Sequence, residues 1–322
     1  MTNDPAVDPV DVLLLAAGLG TRLQPLTAEV PKALLPVCGL PMLDAQLVRL
    51  LGAKRPPVGR VVVNLHHLAE QVRRHVNAIS YILESARPES REPWVGFSHE
   101  TEILGTGGAI AKAAGQLRGE AFAVLNADAF FPAPIEEALA FHRSRDFTAT
   151  MVVMPSPFWA NVAVKGDLVV DILPAPRADG YTFTGLHIAS RALLEHLPAR
   201  GFHDIRDTYR MLIKCGKLGA FPWPTRREQA QGPAPVFLDI GTPRPAVCQL
   251  QSIPLISGSS ETLRWTGRGP EQRGCLPLST GREPAGSSDI RGERDQRSPF
   301  GTKLALPQTS GKTRTTEKAC YA

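Results

Sequence analysis

Apolar residues in this chain come in short runs that alternate with stretches of helical period. Val10-Asp11-Val12-Leu13-Leu14-Leu15 is almost wholly apolar and stops at Ala16-Ala17-Gly18. A short apolar run bounded by glycine predicts a buried strand. From Pro41 to Leu51, the residues Leu43, Leu47, Leu50 and Leu51 gather on one side of a predicted helix. Arg60 to Leu65, with Val61, Val62 and Val63, predicts the next strand, and Leu68 to Val76 the next helix. Trp94 to Ser98 reads as a strand, Gly107 to Leu117 as a helix, and Ala121 to Leu125 as a strand that ends at Asn126-Ala127-Asp128. Ile135 to Arg143 is a further helix and Thr148 to Met154 a further strand. Short buried strands that alternate with helices predict an α/β fold built on a mostly parallel sheet.

The pattern then changes. Val162 and Val164, followed by Val169, Val170 and Ile172, flank Gly166-Asp167, which is a hairpin signal. Tyr181 to Ile188 continues as a strand, with helices over Arg191 to Leu197 and Asp207 to Cys215. From Gln249 to Ala322 there are nine glycines, nine serines and no sustained period. That stretch lacks the apolar density for a core and reads as a disordered tail. The expected division is a flexible start over residues 1–9, one folded domain over 10–248 and the tail over 249–322.

Charge sharpens this division. The chain carries a net +5, but residues 249–322 hold 11 Lys and Arg against 7 Asp and Glu. The first 248 residues are nearly balanced, at 25 against 24. A balanced body argues against an extended nucleic-acid surface. The five cysteines have no CxxC pair and no zinc-like spacing, which fits a reducing cytoplasm. Val12 to Gly18 is too short for a signal-peptide core or a membrane span. These features predict a soluble cytoplasmic protein without a membrane partner.

The chemistry concentrates in Leu15-Ala16-Ala17-Gly18-Leu19-Gly20-Thr21-Arg22-Leu23-Gln24-Pro25-Leu26-Thr27, followed by Pro31-Lys32-Ala33-Leu34-Leu35-Pro36. A strand that ends in small residues lets backbone N–H groups approach phosphate oxygens. Arg22 can fork onto phosphates, and Lys32 adds a second positive charge. A dinucleotide fingerprint needs a third glycine where Leu23 stands, and an acid about twenty residues later where only Gly39 and its neighbours occur. This string also lacks the Gly-Lys-Ser/Thr of a P-loop.

This string resembles the signature of the sugar-1-phosphate nucleotidyltransferases, the nucleotide-sugar pyrophosphorylases. The resemblance spans about residues 10 to 245 and is nearest to the short bacterial mannose-1-phosphate guanylyltransferase and N-acetylmuramate-1-phosphate uridylyltransferase types. Four more segments carry it: Asn64-Leu65-His66-His67-Leu68-Ala69-Glu70-Gln71, Leu104-Gly105-Thr106-Gly107-Gly108-Ala109, Asn126-Ala127-Asp128 and Leu238-Asp239-Ile240-Gly241-Thr242-Pro243. The resemblance implies a Rossmann-like three-layer sandwich with a mixed, mostly parallel sheet. It implies a nucleoside triphosphate and a sugar-1-phosphate as substrates, with pyrophosphate released. Arg22 and Lys32 are then the catalytic cations. Ala16, Ala17, Gly18, Gly20, Thr21, Arg22, Thr106, Gly107 and Gly108 are the nucleotide contacts, and Asn126, Thr184 and Gly185 the sugar contacts. Asp128 and Asp239 are the expected ligands of Mg2+.

Each position also has a plainer role. Asp128 could cap a turn, Thr106 could begin a helix, and Gly185 could mark a close approach in a strand. Neighbouring His66 and His67 do not share a helical face, so a structural role is expected of them. The chain departs from the family at two points. Many relatives carry Glu-Lys-Pro after the hairpin, where this chain has Asp171-Ile172-Leu173-Pro174-Ala175 without the lysine. Relatives continue past the Gly-Thr-Pro with a helix, where Arg244-Pro245-Ala246-Val247-Cys248 stands here. No hexapeptide repeat of a β-helix domain occurs. A nucleotide-binding regulatory homologue without turnover is the alternative these departures raise.

Overall fold

The computed structural model describes residues 8–37, 39–53, 57–87, 93–132, 134–156, 160–177, 180–224 and 237–239. The stretch from Gln249 onward lies outside the described residues, as do Ile240-Gly241-Thr242-Pro243.

The chain begins with β1 (Val10–Leu15), a one-turn helix α1 (Leu26–Glu29), and a small hairpin of β2 (Pro36–Val37) and β3 (Leu40–Pro41). It continues through α2 (Met42–Leu51), β4 (Val58–Leu65), α3 (Ala69–Ser85), β5 (Val95–His99), α4 (Gly105–Ala113) and β6 (Ala121–Asn126). Next come β7 (Ala129–Phe130), α5 (Ile135–Arg143), β8 (Ala149–Ser156), β9 (Ala160–Lys165), β10 (Leu168–Arg177) and β11 (Gly180–Ser190). The last elements are α6 (Ile205–Lys214), β12 (Leu218–Pro222) and β13 (Leu238–Asp239).

Nine strands form the main sheet in the order β5-β4-β1-β6-β11-β8-β12-β10-β9. The fold is α/β with a mixed sheet. Strands β5, β4, β1 and β6 are parallel neighbours, as the alternating pattern predicted. Beyond β6 the pairings are antiparallel except for β8 with β12. The parallel share is therefore smaller than expected. Strand β11 runs against β6, and β9 and β10 turn back at Gly166 with φ 59°.

Strict alternation sorts the parallel strands between two cores. Val12 and Leu14 of β1, Val61 and Val63 of β4, and Ala123 and Leu125 of β6 face one side. There they meet Leu43, Leu47 and Leu50 of α2, Val72 and Val76 of α3, and Ala138 and Leu139 of α5. Leu13, Val62, Phe122 and Val124 face the other side, against Ile110 of α4 and Tyr209 and Leu212 of α6. This burial on both faces is why the strands read as continuous apolar runs. Each fully buried leucine or valine contributes about 1.5–3 kcal/mol relative to exposure.

Several boundaries differ from the sequence pattern, with identifiable causes. Helix α3 runs to Ser85 because Val76, Ile79 and Leu83 continue the apolar stripe past the expected end. Arg191–His196 forms 3-10 turns instead of an α-helix. Helix α6 starts at Ile205 because Asp204 caps it, accepting from the Arg206 N–H at 2.9 Å. Strand β12 was not expected. It is a short run ending in proline, and its place is set by pairing with β8.

Candidate active site

The parallel strands β5, β4, β1 and β6 end at one edge of the sheet, where open α/β folds place their ligands. Leu15, the last residue of β1, lies in register between Asn64 of β4 and Asn126 of β6. The glycine-rich loop leaves from this point. Its first two amides are already held: Asn64 Oδ1 accepts from the Ala16 N–H at 2.6 Å and from the Ala17 N–H at 3.2 Å. Ala16 and Ala17 therefore shape the loop rather than present free donors. Gly18 has open space where a side chain would begin. Gly20 adopts φ 63°, and a Cβ there would meet the Thr27 methyl at 2.7 Å. The buried Thr27 hydroxyl donates to the Gly20 carbonyl at 2.7 Å, which closes the loop on itself.

Thr21, Arg22 and Leu23 form a single 3-10 turn. Leu23 is buried and anchors it, while Thr21 and Arg22 are exposed. Arg22 has no ion pair among the described residues. Lys32 sits on the next 3-10 turn, Lys32–Leu34, and its ammonium pairs with Asp128 Oδ2. The turn holding Asp128 follows β6 and is fixed to β1, because the Ala127 N–H donates to the Leu15 carbonyl at 3.0 Å. Two residues distant in sequence thus converge beside the loop.

Strands β7 and β13 form a two-residue antiparallel pair in which Asp239 lies opposite Ala129. The backbone register brings Asp239 next to the Asp128 turn. The buried Gln46 side chain of α2 donates to the Ala129 carbonyl and supports this pair from below. Among the described residues no three His, Cys, Asp or Glu side chains cluster as a complete metal cage. A hard cation shared with a polyphosphate does not need one, because one or two carboxylates with phosphate oxygens and water suffice. Asp128 has the right donor chemistry and remains partly accessible.

A second loop lies across the β4–β5 edge. Glu100, almost fully buried, accepts from Asn64 Nδ2 at 2.8 Å and from the Leu104 N–H at 3.1 Å. The His203 carbonyl accepts from the Gly107 N–H at 3.0 Å and the Gly108 N–H at 3.4 Å. Those two amides are therefore occupied within the protein. A Cβ on Gly107 would collide with the His203 ring, and one on Gly108 would lie 2.6 Å from the Gly201 carbonyl. The approach of segment 201–203 is a sufficient reason for glycine at both positions. Thr106 lies in the first turn of α4 and is partly exposed.

Of the three expected sugar contacts, two meet. Gly185 has φ 86°, and a Cβ on it would lie 3.0 Å from Asn126 Cβ, so glycine lets β11 pass close to Asn126. Thr184 is different. It is buried, and its hydroxyl donates to the Val152 carbonyl at 2.8 Å across the irregular stretch of the β11–β8 ladder. Its hydroxyl is used within the sheet.

Sequence reading gave no role to Asn64, Glu100, Thr27 or His203, although these order the loops. His66 and His67 are also structural: His66 Nδ1 lies 3.0 Å from the Glu100 carbonyl, and His67 Nε2 lies 2.9 Å from the Thr27 carbonyl. The signal for Asn64 was a polar residue ending an all-valine run, inside a segment already singled out.

Residues 11–158 match the nucleotidyl transferase family. The chain is 26% identical to a mannose-1-phosphate guanylyltransferase of Mycobacterium tuberculosis, over 84% of this chain and 69% of that protein. It is 29% identical to the mannose-1-phosphate guanylyltransferase catalytic subunit beta of Xenopus tropicalis, over 72% of this chain. It spans only 61% of the length of that relative. Among solved structures, HddC from Yersinia pseudotuberculosis aligns with a TM-score of 0.57 at 22% identity, over 75% of this chain and 98% of that one. A putative glucose-1-phosphate thymidylyltransferase from Bacillus anthracis aligns with a TM-score of 0.60 at 17% identity, over 76% of this chain and 97% of that one. At these identities the structural likeness establishes the fold. Residues 11–158 themselves match the nucleotidyl transferase family, which assigns that part of the chain to a nucleotidyl transferase domain.

Proposed function

We propose that the chain transfers a nucleoside monophosphate from a nucleoside triphosphate to a sugar-1-phosphate and releases pyrophosphate. The observation that carries this reading is the pairing of Lys32 with Asp128 at the end of β6, beside the glycine-rich loop that leaves β1 and carries an exposed Arg22. A sugar-phosphate oxygen attacks the α-phosphorus in line. The bond from that phosphorus to the bridging oxygen breaks, and pyrophosphate leaves with the electron pair. Catalysis of this kind rests on positioning and charge neutralisation. Arg22 binds the β- and γ-phosphates, Thr21 and Gly18 line the same loop, and Lys32 offsets charge at the reacting phosphorus. Asp128 and Asp239 would hold Mg2+, which would supply Lewis-acid neutralisation of the phosphate oxygens. Thr106 and the α4 loop flank the nucleoside, and Asn126 with the Gly185 backbone flanks the sugar.

GTP with mannose-1-phosphate is the favoured pair, since guanylyltransferases recur among the relatives. UTP with an amino-sugar-1-phosphate is the second pair, motivated by the missing lysine at Asp171-Ile172-Leu173, which lies within β10. Among the described residues no helix is long and apolar enough to cross a membrane, and we place the reaction in the cytoplasm.

The test is a panel of triphosphates and sugar-1-phosphates with Mg2+, read by pyrophosphate release. Turnover with one matched pair is expected. Tight nucleotide binding without pyrophosphate from any pair would instead identify a regulatory homologue.

A further inference from the structure

Lys32 and the cation expected at Asp128 compete for the same carboxylate. The ammonium of Lys32 sits on Asp128 Oδ2, with side-chain exposures of 12% and 30%. Both backbones are fixed. The Pro31 carbonyl accepts from the Leu34 N–H at 2.8 Å, and the Lys32 carbonyl accepts from the Leu35 N–H at 3.1 Å. The Ala127 amide ties the other side to β1. The element free to move is the four-carbon stem of Lys32, which carries a compact charge on rotatable bonds. A divalent cation on the same oxygen would lie within a few ångströms of that ammonium, where like charges repel strongly at reduced dielectric. Arg22 contrasts with it, being exposed and without an ion pair among the described residues.

We infer that Lys32 is the resident counter-charge of Asp128 in the nucleotide-free protein, and that it moves to the incoming triphosphate, so the cation enters with nucleotide and not before it. This rests on the reading of the site as a nucleotidyltransferase centre. A polyphosphate offers Lys32 several negative oxygens in place of one carboxylate oxygen. Once Lys32 has moved, Asp128 Oδ2 faces the phosphates without a paired cation. Lys32 is then a positioning residue for cation entry as well as a phosphate contact. The pair also prevents an unpaired carboxylate from collecting cations where no substrate is present.

The test uses the full chain and Mn2+, with free Mn2+ followed by electron paramagnetic resonance. Wild type, Lys32→Met, Lys32→Gln, Lys32→Arg and Asp128→Asn are titrated without nucleotide and with a non-hydrolysable GTP analogue. Thermal melts identify which of the Met and Gln variants is folded, and that one is used. Without nucleotide it should bind Mn2+ about tenfold or more tightly than wild type. Lys32→Arg should stay as weak as wild type, and Asp128→Asn should bind weakly throughout. With the analogue, wild type should gain most of the difference. Equal Mn2+ affinity of wild type and the folded Met or Gln variant without nucleotide would overturn the inference. An analogue that binds wild type without improving Mn2+ affinity would overturn it as well. Failure of every triphosphate to bind any variant would instead overturn the nucleotidyltransferase reading, and the nucleotide-free comparison still reports on the pair by itself.

Discussion

Asn64 holds the first amide of the glycine-rich loop: its Oδ1 accepts from the Ala16 N–H at 2.6 Å across 48 residues of sequence. The same side chain binds Ala17 and, through Nδ2, Glu100. It therefore joins the loop after β1 to the loop after β5. Removing one partner from a buried polar group leaves the others unsatisfied, at about 1–3 kcal/mol for each group. Asn64→Leu should lower the urea midpoint and reduce kcat/KM by an order of magnitude or more. Asn64→Asp keeps the acceptor for both amides but sets a carboxylate against Glu100, so its loss should shrink as pH falls. An unfolding midpoint and turnover for Asn64→Leu matching wild type would rule out this role.

Charge at the loop is tested by Arg22→Ala, Lys32→Ala and Asp128→Asn. A hydrogen bond to a charged group contributes about 1.5–3 kcal/mol, so each change should reduce transition-state binding by roughly ten- to a hundredfold. Arg22 is exposed and unpaired among the described residues, so its variant should melt like wild type. Steady-state kinetics on the matched substrate pair supply the check. Normal kcat/KM in both Arg22→Ala and Lys32→Ala would refute the phosphate-loop assignment.

The α4 loop makes a steric prediction. In Gly108→Ala the new methyl would lie 2.6 Å from the Gly201 carbonyl and 2.9 Å from Leu104 Cβ. Overpacking against backbone costs about 1–3 kcal/mol. Gly115→Ala, where the methyl meets open space, is the control and should stay within about 0.5 kcal/mol of wild type. Chemical denaturation of both variants decides the matter; equal stabilities would mean that segment 201–203 yields freely.

Two buried histidines set an acid limit. Burial lowers His142 to about 4 and His187 to about 3. His142 Nδ1 lies 2.8 Å from the Thr150 hydroxyl, and the His187 ring nitrogens have no hydrogen-bond partner among the described residues. Both are neutral in the native protein, whereas the unfolded chain protonates them near pH ~6.5. Stability is therefore fully present above that pH and falls below it, because the unfolded state gains protons the native state excludes. The loss should be on the order of 1.4 kcal/mol per pH unit for each histidine, until the native residue itself protonates. His187→Phe should flatten the difference in unfolding free energy between pH 7.5 and pH 4.5. Parallel pH curves for the variant and wild type would show that His187 does not set this limit.

The parallel half of the fold was legible because both its faces are buried. Residues 12 to 14 and 61 to 63 could only be strands of a covered sheet, and helix α5 was found at its true limits, Ile135 to Arg143. The antiparallel half was harder, since Leu218 to Pro222 is a strand only because β8 lies beside it. The loop string and the Asn126-Ala127-Asp128 turn were visible as chemistry. The occupied amides were not, because no spacing tells that Asn64 will take Ala16, or that the His203 carbonyl will meet Gly107 and Gly108. Such contacts join residues far apart in sequence, and only the folded backbone supplies them.

The pairing of β7 with β13 brings residue 239 back to residue 129 through a ladder only two residues long. So short a ladder supplies few hydrogen bonds, each of modest net worth. That corner should open at a lower temperature than the rest of the sheet, as the least stable parts of native proteins do. On the proposed reading of the site, heating should stop turnover while the helices and strands remain intact, so that the temperature of half-inactivation lies below the melting temperature.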